Sequence, residues 1–155
     1  MEIERKFLLG EAPPDLSTHP EASLRQGYLA LDPDGTEVRV RQEDDEATLT
    51  VKKGAGLSRV EEAVVLDDDA FERLWPLTAG RRVEKVRHRV PADDGLVVEV
   101  DVYGGDLAGL VVAEVEFADE AQAAAFVPQA WMGREVTGDR RYANQRLAVD
   151  GAPAD

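Results

Sequence analysis

A mainly β fold, with eight antiparallel strands and three short helical pieces, is predicted by two features of this 155-residue sequence. Apolar and polar residues alternate with period two through eight short runs rich in Val, Leu and Thr, the pattern of strands buried on one face. Turn chemistry separates consecutive runs: Asp32-Pro33-Asp34-Gly35, Lys53-Gly54-Ala55-Gly56 and Pro91-Ala92-Asp93-Asp94-Gly95 carry the residues that tight reversals need. Antiparallel hairpins between neighbours in sequence are therefore expected.

The strands are placed at residues 2–9, 25–31, 37–42, 47–53, 58–66, 83–90, 96–103 and 111–117. In the first, Glu2, Glu4 and Lys6 share one face; in the third, Arg39 and Arg41 alternate with Val38 and Val40. Thr48, Thr50 and Lys52 share a face of the fourth strand, and Arg59 and Glu61 a face of the fifth. Lys85, Arg87 and Arg89 alternate with Glu84, Val86 and His88. Glu99 and Asp101 alternate with Val98, Val100 and Val102, and Glu114 and Glu116 with Ala113, Val115 and Phe117. A helix at 70–75 follows the N-cap carboxylates of Asp67-Asp68-Asp69, and one at 121–127 follows Asp119-Glu120. A last helix runs from 138 or 139 to 149, with Tyr142, Arg146 and Leu147 on one face and Gly151 as its stop. Residues 1–150 read as a single domain and 151–155 as a loose tail.

Composition narrows the function. There are 32 Asp and Glu against 18 Lys and Arg, a formal charge of −14, which argues against long-range attraction to nucleic acid. No uncharged run approaches the roughly 20 apolar residues of a membrane span, and the N-terminus has no apolar signal core. A cytoplasmic address is the default expectation. The absence of cysteine removes disulfides, thiolate nucleophiles and thiolate-bound zinc together.

The strand faces carry the chemistry. Seven acids (Glu2, Glu4, Glu61, Glu99, Asp101, Glu114, Glu116) and eight bases (Lys6, Arg39, Arg41, Lys52, Arg59, Lys85, Arg87, Arg89) fall at one alternation phase. This set is about +1, while the other 25 acids and 10 bases sum to −15. A solvated face laced with ion pairs explains any one strand. It does not explain like charges two residues apart in strand after strand, because like charges side by side cost stability unless something neutralises both. Hard divalent cations take carboxylate oxygens, and Arg forks and Lys ammoniums take phosphate oxygens. A metal-bound polyphosphate is the ligand this pattern implies.

In order, Glu2-Ile3-Glu4-Arg5-Lys6, Gln26-Gly27-Tyr28-Leu29, Arg39-Val40-Arg41, Thr50-Val51-Lys52, Arg59-Val60-Glu61, Lys85-Val86-Arg87, Glu99-Val100-Asp101, Glu114-Val115-Glu116 and residues 136–144 span nearly the whole chain. The set resembles the CYTH domain superfamily, the triphosphate tunnel metalloenzymes, in their short bacterial inorganic triphosphatase form. The resemblance implies a closed eight-stranded antiparallel β-barrel tunnel, charged inside and with helices outside, that hydrolyses tripolyphosphate or a similar triphosphate with Mg²⁺ or Mn²⁺. It implies that Glu2, Glu4 and Glu116 hold the metal, with Asp101 and Glu114 beside them and Glu61 a further candidate. Lys6, Arg39, Arg41, Lys52, Arg59, Lys85 and Arg87 would bind phosphate oxygens. Tyr28 and Lys52 match a catalytic Tyr–Lys pair, Lys85 joins them as a candidate, and activity is expected to favour alkaline pH. Many relatives carry a second acid in the fifth strand. Here Glu62 falls out of phase and Ala63 takes its place, which bears on a second metal or a water-activating acid.

Other features read as structural. His19 and His88 have no second His at ligand spacing, Trp75 and Trp131 suit packing, and Asp67 to Asp69 suit a helix cap. An adenylate cyclase or thiamine triphosphatase of the same fold, and a non-catalytic polyphosphate- or nucleotide-binding module, are the alternative functions. The apolar outward face of the last two strands must be covered by helices or by a second copy, so a homodimer is expected as one solution.

Overall fold

The computed structural model describes residues 3–54 and 59–154. Glu2 and Ser58, which open two of the expected strands, and Ala55-Gly56 of the second turn lie outside the described residues. Eight strands are present: β1 Ile3–Leu9, β2 Glu21–Leu31, β3 Glu37–Glu43, β4 Glu46–Lys53, β5 Val60–Leu66, β6 Arg82–Pro91, β7 Val97–Tyr103 and β8 Val111–Phe117. The largest departure from expectation is β2, which starts four residues early because Glu21 to Gln26 pair with β6.

All pairings are antiparallel, in the order β1-β8-β7-β6-β2-β3-β4-β5. Two meanders, β2 to β5 and β6 to β8, are joined by the β2–β6 pair. Strictly sequential neighbours are thus overturned at two places. After β5 the chain crosses the outer face of β3 and β4 through α1 (Asp68–Leu74) and the turn Trp75–Thr78, and re-enters beside β2.

The sheet is open, which corrects the expected closed barrel. β1 and β5 are its two edges and do not pair with each other. The edge of β1 is already occupied by residues 133–137. Leu8 N donates to Arg134 O at 2.8 Å, Gly133 N to Leu8 O at 2.9 Å, Val136 N to Lys6 O at 2.8 Å, and Lys6 N to Thr137 Oγ1 at 2.9 Å. With those groups satisfied, β1 presents no ladder for β5 to join. β5 is exposed along nearly its whole length, with Val65 at 83%.

Two apolar layers cover the outer face. Phe7, Leu9, Val98, Val100, Val111, Ala113, Val115 and Phe117 pack with Phe126, Trp131 and Met132 beside α2 (Glu120–Ala125). The apolar face of β7 and β8 is therefore covered by this chain's own segments. Under α1, Val40, Ala47, Phe71 and Trp75 form the second layer. Both caps form as predicted, Asp67 accepting from Ala70 N and Asp119 from Gln122 N, each at 2.7 Å. The third helix, α3, is shorter than expected, Asn144–Asp150. Asp139 caps a single tight turn, Arg140–Tyr142, and extended Ala143 separates that turn from the helix. Gly151, at φ +77°, ends it.

Gly27 brings β2 against the Trp75–Thr78 turn. A Cβ there would run into the side chain of Thr78, which is fully buried. Gly27→Ala is expected to cost about 1–3 kcal/mol through overpacking, read as a lower urea midpoint. An unchanged midpoint would show that β2 and the turn can part without penalty.

Candidate functional site

The pairing registers test whether the charged residues share a face. Lys6 faces Glu114, Glu114 faces Glu99 and Glu99 faces Arg89; Asp101 faces Arg87; Arg39 faces Thr50, and Lys52 faces both Glu37 and Glu61. Alternation within each strand then brings the described members of the set to one side of the sheet. Glu62 pairs with Val51 and Ala63 with Thr50, so Glu62 points to the opposite side, as its phase predicts.

The centre of this face is a buried ion cluster. Asp101, 2% exposed, receives Arg87 Nε at 2.8 Å, Arg87 Nη2 at 3.0 Å and Lys85 Nζ at 3.0 Å. Burial pushes the Asp101 carboxyl up, but the Arg87 hydrogen bonds and the Lys85 and Arg87 charges outweigh it and hold the group below its ordinary range. Burial pushes the Lys85 ammonium down, against the pull of Asp101. The same burial acts on Arg87, but its bonds to Asp101 raise it above the ordinary guanidinium value. From here the charges continue outward. Glu99 Oε2 lies 3.4 Å from Arg87 Nη1 and 3.6 Å from Arg89 Nε, and Glu43 Oε1 lies 3.6 Å from both Arg89 Nη2 and Arg41 Nη2.

Around Tyr28 the face forms a cleft of about 210 Å³, lined by Gln26, Glu37, Arg39, Lys52 and Arg59 with α3 on its far side. Tyr28 and Lys52 are thus brought to one cleft. Tyr28 Oη accepts from Gln26 Nε2 at 2.6 Å, and burial, with the nearby Glu37 charge, pushes its hydroxyl up to about 12. Across the physiological range it is a neutral phenol. The Nε atoms of Arg39 and Arg41 are buried without a hydrogen-bond partner. Unmet buried guanidinium N–H groups are costly, and phosphate oxygens are the groups that satisfy them best.

At the other edge, Glu4 stands opposite Glu116, with Glu114 and Lys6 as the next pair along. Like charges directly opposed across a ladder fit a hard cation between them. Among the described residues no three carboxylate or imidazole groups converge into a cage, so the described donors account for part of a metal site. Glu2 lies outside the described residues. Asp101 has both oxygens committed to Arg87 and Lys85, and Glu61 sits beside Lys52 at the opposite edge of the sheet. A cleft of about 220 Å³ between Glu4, Lys6 and Arg140 brings the C-terminal turn to this end.

No family model matches the chain. An inorganic triphosphatase of Nitrosomonas europaea is 48% identical over 148 residues, which cover 96% of this chain and 97% of the relative. The chain belongs to the inorganic triphosphatase family. An inorganic triphosphatase of Acetivibrio thermocellus is 42% identical over 149 residues, covering 94% of this chain and 92% of the relative. The crystal structure of the inorganic triphosphatase NE1496 superposes with a TM-score of 0.84 at 42% identity, over 99% of this chain and 97% of that one. HpAC1 from Hippeastrum, at 17% identity and TM-score 0.54 over 80% of this chain and 83% of that one, shares the fold alone.

In this inorganic triphosphatase family member, four face residues lie outside the sequence count. Glu37 and Glu43 share the phase of Arg39 and Arg41, and the alternation of β3 itself could have found them. Gln26 and Tyr103 are uncharged and carry no such signal. Tyr103 Oη donates to Asn144 Oδ1 at 3.0 Å, and Lys6 Nζ to Tyr142 O at 3.2 Å, so α3 and the turn before it are tied onto the charged face. Tyr28, Val83, Tyr103, Val112, Tyr142, Leu147 and Ala148 form an apolar plug there. His88 lies outside the site, on the other face, with Nδ1 3.8 Å from Glu21.

Proposed function

We propose that this protein hydrolyses the terminal phosphoanhydride bond of inorganic tripolyphosphate with the help of Mg²⁺ or Mn²⁺. The observation that carries the reading is the pair of buried, unpartnered guanidinium nitrogens on Arg39 and Arg41, beside the cations of β4 and β6. Arg39, Arg41, Lys52, Arg59, Lys85, Arg87 and Lys6 bind phosphate oxygens. Glu4 and Glu116, with Glu2 and Glu114, would hold the cation, which when bound bridges phosphate oxygens and offsets charge on the leaving diphosphate. Phosphoryl transfer asks the protein chiefly for positioning and charge neutralisation, which this face supplies. Tyr28, as a neutral phenol in the cleft, donates a hydrogen bond rather than accepting a proton. Among the described residues no helix is long and apolar enough to cross a membrane.

Purified protein incubated with tripolyphosphate, ATP or thiamine triphosphate, each with Mg²⁺, Mn²⁺ or a chelator, tests the reading. Phosphate release from tripolyphosphate is expected, abolished by chelation and restored by the metal. Cyclic AMP from ATP, or tight tripolyphosphate binding without turnover, would sink it.

A further inference from the structure

We propose that Glu37 is the general base that takes a proton from the attacking water; the proposal rests on the triphosphatase reading above. Attack on a terminal phosphorus needs a group that can accept that proton within hydrogen-bond reach of the nucleophile. Neither histidine is available: His88 sits on the opposite face, and His19 follows the exposed loop before β2. Tyr28 holds its own proton. Most carboxylates of the face are committed elsewhere: Asp101 to Arg87 and Lys85, Glu99 between Arg87 and Arg89, and Glu43 between Arg41 and Arg89. Glu4, Glu114 and Glu116 gather at the β1–β8 edge.

Glu37 differs from all of these. It is 6% exposed, yet its Oε2 makes no hydrogen bond, and its nearest cation, Arg39 Nη1, stands off at 3.6 Å. It lines the cleft with Tyr28, Arg39, Lys52 and Arg59, so its free oxygen opens where the cations would set a terminal phosphoryl group. A buried carboxylate oxygen without a partner is costly. A water held between it and the phosphorus would remove that cost. The charged and titratable groups around it are Tyr28 from β2, Arg39 from its own strand, Lys52 from β4, Arg59 ahead of β5, Asp32 from the β2–β3 turn and Arg146 from α3. These cations offset the repulsion that a carboxylate would otherwise offer a polyanion.

In the step itself, water oxygen bonds to the terminal phosphorus as the bond from that phosphorus to its bridging oxygen breaks. The water proton passes to Glu37. The electron pair of the broken bond leaves with diphosphate, and orthophosphate remains; Glu37 then returns its proton to solvent.

The test follows kcat and KM for tripolyphosphate with Mg²⁺ from acid to alkaline pH. Glu37→Gln is expected to lower kcat by about 10²–10⁴-fold with little change in KM, and to remove the fall of kcat on the acid side. Glu37→Ala is expected to regain turnover as formate is added, since a small carboxylate can enter the space left. The assignment is overturned if Glu37→Gln keeps wild-type kcat, if it changes KM alone, or if its acid fall persists. A Glu37→Ala rate that formate does not move overturns it too, and decides the matter should Glu37→Gln fail to fold. Wild-type protein that releases no phosphate brings down the triphosphatase reading as a whole. Normal wild-type turnover with an unaffected variant brings down the base alone.

Discussion

Asp101→Asn is expected to destabilise the fold by about 3–5 kcal/mol, the range for removing one partner of a buried ion pair, and to lower kcat/KM by at least about a hundredfold. The amide cannot carry the charge that Arg87 Nε, Arg87 Nη2 and Lys85 Nζ now share, so two cations are left crowded and uncompensated. Their positions are what the substrate would read, so stability and turnover should fall together. The sign of the pH effect follows from the lowered carboxyl. A group whose folded value lies below its ordinary 3.8 stabilises fully above that value, and the contribution is lost as pH falls through the folded value. Wild type should therefore lose stability more steeply than Asp101→Asn under strongly acid conditions, in urea titrations across that range. Half-saturation by Mg²⁺ should not move. A large shift there, with stability intact, would make Asp101 a metal ligand as first expected from sequence, and the ion cluster a secondary feature.

Arg39→Ala should lower kcat/KM for tripolyphosphate by about 10²–10³-fold. One hydrogen bond to a charged group is worth about 1.5–3 kcal/mol, and about 1.4 kcal/mol is a decade in rate. Loss of the fork removes up to two such bonds and opens the floor of the Tyr28 cleft. Arg39→Lys should recover only part of the loss, because an ammonium restores charge without the planar geometry. Stability should barely change, since the only ion pair of Arg39, to Glu37, is 3.6 Å long. If Arg39→Ala turned over tripolyphosphate normally, the unpartnered nitrogens would not mark the phosphate site.

The face chemistry was legible in the sequence because side-chain direction in a strand reverses at every residue, so Glu4 with Lys6, Arg39 with Arg41, and Lys85 with Arg87 had to share sides. Caps at Asp67 and Asp119 were legible for the same local reason. The omission of Glu37 and Glu43 was avoidable, since both obey the alternation of their neighbours. Gln26 and Tyr103 were not recoverable, because polar uncharged and aromatic side chains at that phase look the same in a core and in a cleft.

What the sequence determined by itself was therefore the phase of every strand and the identity of the charges that meet on one side. Tertiary structure alone decided whether that side closes and which charges are spent on one another. β1 stays an edge of the sheet because residues 133–137, more than 120 positions away, satisfy its backbone first. Asp101 serves Arg87 and Lys85 because β6 and β7 lie side by side. Alternation is a property of neighbouring peptide units and can be read along a chain. Edge occupancy and ion pairing depend on which distant segment arrives at a group, and that is settled only when the whole sheet is assembled.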